Sequence, residues 1–263
     1  MKKISTLFIL LTATLFVACS KDDDTRPDEV SEKFLIAEKK SPSGLDLKLW
    51  ADTKDLSVAW NKLYLSIKNA AGADVTTAPV TFIPLMDMPG MKHSSPVEQP
   101  VYNNKEGLYE GAAVFSMPSG EMGSWTLTAT VNGEPVVFDI AVRAAQPNTK
   151  NTGTYVGTDG QNYSVSLVEP LAPRTGLNEL NILINKREDM MHFPPADDLT
   201  IEVNPEMPSM GHGSPNNINP VHESKGHYRG KVNFTMTGDW RLHFRLKRGN
   251  AVIVEDATID LLF

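Results

Sequence analysis

Apolar and polar residues alternate with period two over most of this chain, in short runs bounded by Gly, Pro, Asn and Asp, and long helical periodicity is scarce. Leu45, Leu47 and Leu49 give one face to a strand over 45–50. Leu63, Leu65 and Ile67 do the same over 61–68. Further strands are predicted over 80–85, 109–117, 124–131 and 135–142, with Asn132-Gly133 as a hairpin turn. A polar stretch over 144–153 follows, and the same order begins again. Strands are expected over 162–169, 177–185, 199–203, 228–236, 240–246 and 251–261, with turns at 237–239 and 248–250.

The second half repeats the first. Met88-Pro89-Gly90-Met91-Lys92-His93 and Met207-Pro208-Ser209-Met210-Gly211-His212 share the form M-P-x-M-x-H. A Ser-Pro, a Pro-Val, a Gly-x-Tyr-x-Gly, a Met and a Trp follow each copy. Met88 and Met207, His93 and His212, Tyr109 and Tyr228, and Met117 and Met236 are all 119 positions apart. The offset falls to 115 at Trp125 and Trp240, because the turn over 118–123 is four residues longer. Ordered matches of this kind indicate a duplication. About seven short strands per unit predict an all-β chain of two tandem immunoglobulin-like β-sandwich domains, over 34–146 and 152–263. Trp125 and Trp240 are read as core residues.

Composition narrows the class. The formal net charge is -7, and removal of Lys2 and Lys3 with a leader takes it to about -9. Nucleic acid is therefore not an expected partner, since phosphate binding needs a basic face. The chain has one cysteine, Cys19, so each core must hold by packing alone. Residues 1–18 read as a signal peptide: a basic start at Lys2 and Lys3, then an apolar run too short to span a bilayer. Phe16-Val17-Ala18-Cys19 resembles a bacterial lipobox, which implies lipidation of Cys19 and a membrane contact through the anchor alone. Ser20-Lys21-Asp22-Asp23-Asp24 resembles the acidic export signal of Bacteroidota surface lipoproteins. The expected location is the outer membrane, lipid-anchored at the cell surface, with residues 19–33 as an acidic tether.

The repeated motif carries the candidate chemistry. Met88, Met91 and His93, and again Met207, Met210 and His212, put two thioethers and an imidazole within six residues. Thioether sulfur selects Cu(I) over hard cations, and imidazole suits copper in either state. His222 and His227 add imidazoles close in sequence to the second copy, which makes that copy the better expected site. Packing is the competing reading, since Met is a flexible gap-filler and duplication copies core residues and ligands alike. Met190-Met191-His192 is expected in an exposed loop, and His243 to face solvent. No nucleophile stands beside a base, and no zincin, hydrolase, Walker or dinucleotide motif occurs, so an enzyme is not expected.

At the M-P-x-M-x-H residues the chain resembles the YtkA-like, or FixH-like, domain family, whose members are small secreted or membrane-anchored β-sandwiches. Residues 86–93 match the longer M-x-M-P-x-M-G-H form except that Lys92 replaces the Gly. Residues 207–212 keep that Gly but lack the outer Met. The resemblance implies the sandwich fold, a copper ion as the expected cofactor, and metal-efflux or outer-membrane transporter components as expected partners. A non-metal surface interaction or adhesion module is the alternative.

Overall fold

The structure is a computed structural model that describes residues 32–263. The expected leader, Cys19 and residues 19–31 of the tether lie outside the described residues. Among the described residues there is no helix.

The first sandwich comprises β1 (Phe34–Lys40), β2 (Asp46–Ala51), β3 (Leu56–Ser57), β4 (Trp60–Lys68), β5 (Val80–Met88), β6 (Met91–His93), β7 (Val97–Asn103), β8 (Leu108–Val114), β9 (Ser124–Val131), β10 (Glu134–Ile140) and β11 (Val142–Arg143). The second comprises β12 (Thr152–Val156), β13 (Asn162–Glu169), β14 (Gly176–Arg187), β15 (Thr200–Met207), β16 (His212–Gly213), β17 (Ile218–Ser224), β18 (His227–Phe234), β19 (Asp239–Arg248) and β20 (Ala251–Leu262). In the first, a five-stranded sheet of order β1-β2-β4-β8-β7 faces a four-stranded sheet of order β10-β9-β5-β6. In the second, β12-β13-β14-β18-β17 faces β16-β15-β19-β20. The two orders correspond strand for strand. A parallel pair, β3 with β11, is confined to the first.

Period-two alternation explains the cores. In β9, Trp125, Leu127, Ala129 and Val131 are buried and the residues between them are not. Trp240, Leu242, Phe244 and Leu246 do the same in β19. The Trp125 indole donates to the Met117 carbonyl at 2.9 Å and the Trp240 indole to the Met236 carbonyl at 3.0 Å. Besides the two- and three-residue strands β3, β6, β11 and β16, the strands that escaped the sequence pattern are β1, β7, β12 and β17. Each edges a five-stranded sheet, and β17 buries a single residue, Val221's neighbour Pro220, so there was no alternation to detect.

The Gly-x-Tyr-x-Gly repeat is wholly structural. Gly107 and Gly226 have φ of 70° and 81°, in the left-handed region that a turn here requires. The Tyr109 hydroxyl accepts from the Ala78 amide at 2.9 Å. The Tyr228 hydroxyl accepts from Leu199 at 3.1 Å and donates to the Ala196 carbonyl at 2.7 Å. A Cβ on Gly111 would stand 2.7 Å from the Glu98 carbonyl oxygen, and one on Gly230 would overlap that of Ile218. Both glycines lie where an edge strand bulges at a proline, Pro100 or Pro220.

The two sandwiches meet through their five-stranded sheets. Val114 of β8 and Leu183 and Val168 of β14 and β13 form a small apolar cluster, with Trp60 packed on it. Beside it the Glu98 carboxylate accepts from the Trp60 indole at 2.6 Å and contacts His227 Nε2 at 3.3 Å. Burial opposes ionisation of Glu98 most, but the bonds from His227 and Trp60 outweigh it and hold the carboxyl below its ordinary range.

Candidate metal-binding site

The same six-residue motif folds in two different registers. In the first copy, Pro89-Gly90 makes a two-residue turn with Gly90 at φ 85°, so Met88 pairs with Met91 and Met86 with His93. Paired residues, and residues two apart, share a face. Met86, Met88, Met91 and His93 therefore project together, while Asp87 and Lys92 pair on the other face at 2.6 Å. Met86 at the base is sealed in the core, Met88 is half-buried and Met91 is 45% exposed.

In the second copy the glycine comes later, at Gly211, with φ 63°. The turn lengthens to four residues and Met207 pairs with His212 instead. The amides of Met210 and Gly211 both donate to the Met207 carbonyl, at 3.1 and 2.9 Å. Met207 is 5% exposed and packs in the core, whereas Met210 rides the turn at 61%. A Cβ on Gly238 would overlap the Met207 methyl, so the glycine preceding the Trp strand exists to admit that side chain. Ser209 ties the turn to Asp239, whose carboxyl its hydroxyl holds below the ordinary range.

Both motif histidines are oriented alike. His93 lies edge-on to Trp125, with centroids 5.6 Å apart, and His212 to Trp240 at 5.9 Å. His93 Nδ1 is 2.8 Å from the Ser94 carbonyl, and His212 Nδ1 is 3.0 Å from that of Gly213. A neutral ring donating from Nδ1 keeps its Nε2 lone pair for an ion.

His222 and His227 are not brought to the second motif. His222 Nε2 contacts Asp197 at 2.9 Å, and His227 contacts Asn181 and Glu98. Asp197 precedes β15 and Met207 ends it, so the strand's length, roughly 25 Å at 3.3 Å per residue, separates them. Nearness in sequence misled here because β17 runs away from the motif before the 225–226 turn. His243, expected to face solvent, is half-buried and stands between Glu206 and Asp256 at 2.9 and 2.8 Å. Among the described residues no group of three or more His, Cys, Asp or Glu could hold a metal ion.

One cavity of about 260 Å³ collects the first motif's chemistry: Met88, Met91 and His93 line it, with Met190, Arg187 and Phe193 from the second sandwich. Ser94, Ser95, Pro96, Ser116, Thr154 and Ser164 complete the wall, and no carboxylate lines it. The sequence placed Met190 in an exposed loop rather than a site and drew no attention to Arg187. Their signal was weak, a Met-Met-His string and a strand-end arginine, and only the meeting of the two sheets brings them near residue 93.

The fold defines a class, an all-β chain of two sandwiches of immunoglobulin-like build. The YtkA-like family model matches residues 158–245, within the second sandwich. No curated protein matches. Among solved structures, the Escherichia coli adhesin FdeC is similar at 12% identity and a TM-score of 0.30, over 86% of this chain and 66% of that one. Domains 5-6 of the S-layer protein SbsC are similar at 12% identity and a TM-score of 0.28, over 86% and 98%. Squid arrestin is similar at 8% and 0.27, over 84% and 96%.

Proposed function

We propose that this protein is a lipid-anchored envelope protein that binds Cu(I), or hands it on, at the first M-P-x-M-x-H hairpin. The observation that carries the reading is the convergence of Met88, Met91 and His93 on one cavity without a carboxylate. A neutral thioether-imidazole set suits a soft monovalent ion and offers little to Ca²⁺, Mg²⁺ or Zn²⁺. Arg187 on the same wall adds to this preference, because its repulsion of an ion scales with that ion's charge. In the second copy the sulfurs part, one to the core and one to solvent, which favours the packing reading for Met207, Met210 and His212. The preferred copy is thus the first, reversing the expectation drawn from His222 and His227.

The protein is read as a binding protein and not an enzyme, anchored in the outer membrane through Cys19 and facing the cell surface. Metal-efflux or transporter components are its proposed partners, and duplication of a YtkA-like unit its proposed origin. Competition of the protein against a Cu(I) chelator tests the reading. One ion bound more tightly than micromolar is expected, with loss in Met88→Leu/Met91→Leu. Weaker binding than that, or unchanged binding in the double variant, would refute it. Cys19→Ser should move the protein from the membrane to the soluble fraction.

A further inference from the structure

We propose that the first-motif site is completed across the two sandwiches, with the Met190 thioether as a third sulfur donor. The inference rests on the Cu(I) reading and adds a ligand that the motif does not contain. Met190 lies in the loop between β14 and β15 and lines the same cavity as Met88, Met91 and His93.

Two sets of bonds hold it there. Its carbonyl accepts from the Ser94 amide at 2.7 Å, directly beside His93. The residues flanking it are pinned by Asp189, whose carboxylate accepts from the amides of Met191 at 2.6 Å and His192 at 2.8 Å and contacts the His192 ring at 2.7 Å. A loop held in this way brings a donor to an ion at little ordering cost. The side chain has no competing structural duty, since Met190 is 37% exposed and belongs to none of the buried clusters.

Three thioethers and one imidazole make a neutral four-donor set drawn from both sheets' partners. An ion held by it bridges the sandwiches, so binding should also tighten their contact at Val114 and Leu183.

The test is Cu(I) competition and X-ray absorption on the detergent-solubilised full-length protein. Met190→Leu should weaken Cu(I) binding about tenfold or more and remove one sulfur from the ion's shell, while the neighbouring Met191→Leu changes neither. Met190→Cys should recover affinity, which a merely structural role would not produce. If Met190→Leu binds as tightly as wild type while Met88→Leu/Met91→Leu does not bind, the third donor is wrong and the Cu(I) reading stands. Absence of Cu(I) binding in the wild type overturns both.

Discussion

Glu98 makes the most incisive test of whether the two sandwiches behave as one body. Its carboxylate accepts from the Trp60 indole at 2.6 Å and meets His227, from the other sandwich, at 3.3 Å. A hydrogen bond to a charged acceptor contributes about 1.5–3 kcal/mol, and the longer His227 contact less. Glu98→Ala also leaves the half-buried Trp60 indole without its acceptor. Trp60 and Glu98 belong to the same sandwich, so only the His227 contact is lost between sandwiches, and we expect the variant to weaken that contact by about 1 kcal/mol, roughly fivefold in the ratio of docked to undocked forms. Hydrogen exchange should show this as faster exchange at Val114 and Leu183, with the core strands β9 and β19 unchanged. Crossed with His227→Ala, the double variant should lose less than the sum of the singles, by about 0.5–1 kcal/mol. The pH dependence has a definite sign. The folded carboxyl sits below its ordinary value of 4.5, so its contribution is complete above about that pH and is lost as pH falls through the lowered value. Additive single effects, or protection factors at Val114 and Leu183 that are lower at pH 7 than at pH 4, would refute the account.

The other predictions concern the hairpins and the repeat. Met207→Ala should cost about 2–4 kcal/mol in thermal or denaturant unfolding, as a buried-methionine cavity does, without changing Cu(I) affinity, whereas Met210→Leu should leave both unaltered. Gly230→Ala should cost about 1–3 kcal/mol, read as a lower melting temperature, because its Cβ would displace the β17 backbone. Tyr228→Phe should cost about 1–2 kcal/mol by the same measurement, since it strips a buried acceptor from Leu199 and a donor from Ala196. Arg187→Gln should tighten Cu(I) binding in the chelator assay, and a weakening would refute the charge argument.

Much of the fold was legible because period-two burial writes itself into the residues of central strands. The strands predicted over 124–131 and 162–169 are β9 and β13 to the residue. The edge strands of the five-stranded sheets were not legible, because they bury too few residues to impose a pattern, whereas the edge strands β10 and β20 of the other sheets were. The site was half legible. Met88, Met91 and His93 stood out as thioethers beside an imidazole, and the glycines that distinguish the two motifs were in plain view as Pro89-Gly90 against Pro208-Ser209-Met210-Gly211. Shifting the left-handed residue by two positions changes the turn from two residues to four, and with it which side chains share a face.

What this sequence determined alone was its all-β class, the repeated unit, the two core tryptophans and the presence of thioethers beside imidazoles. Those properties are local or periodic, and a linear pattern can carry them. What only the tertiary structure decided was which motif lines a cavity with both its methionines and its histidine, where His222 and His227 go, and that Met190 arrives beside His93. Those depend on hairpin register and on the packing of one sheet against another. Such contacts join residues about a hundred positions apart, and their spacing along the chain leaves no trace of them.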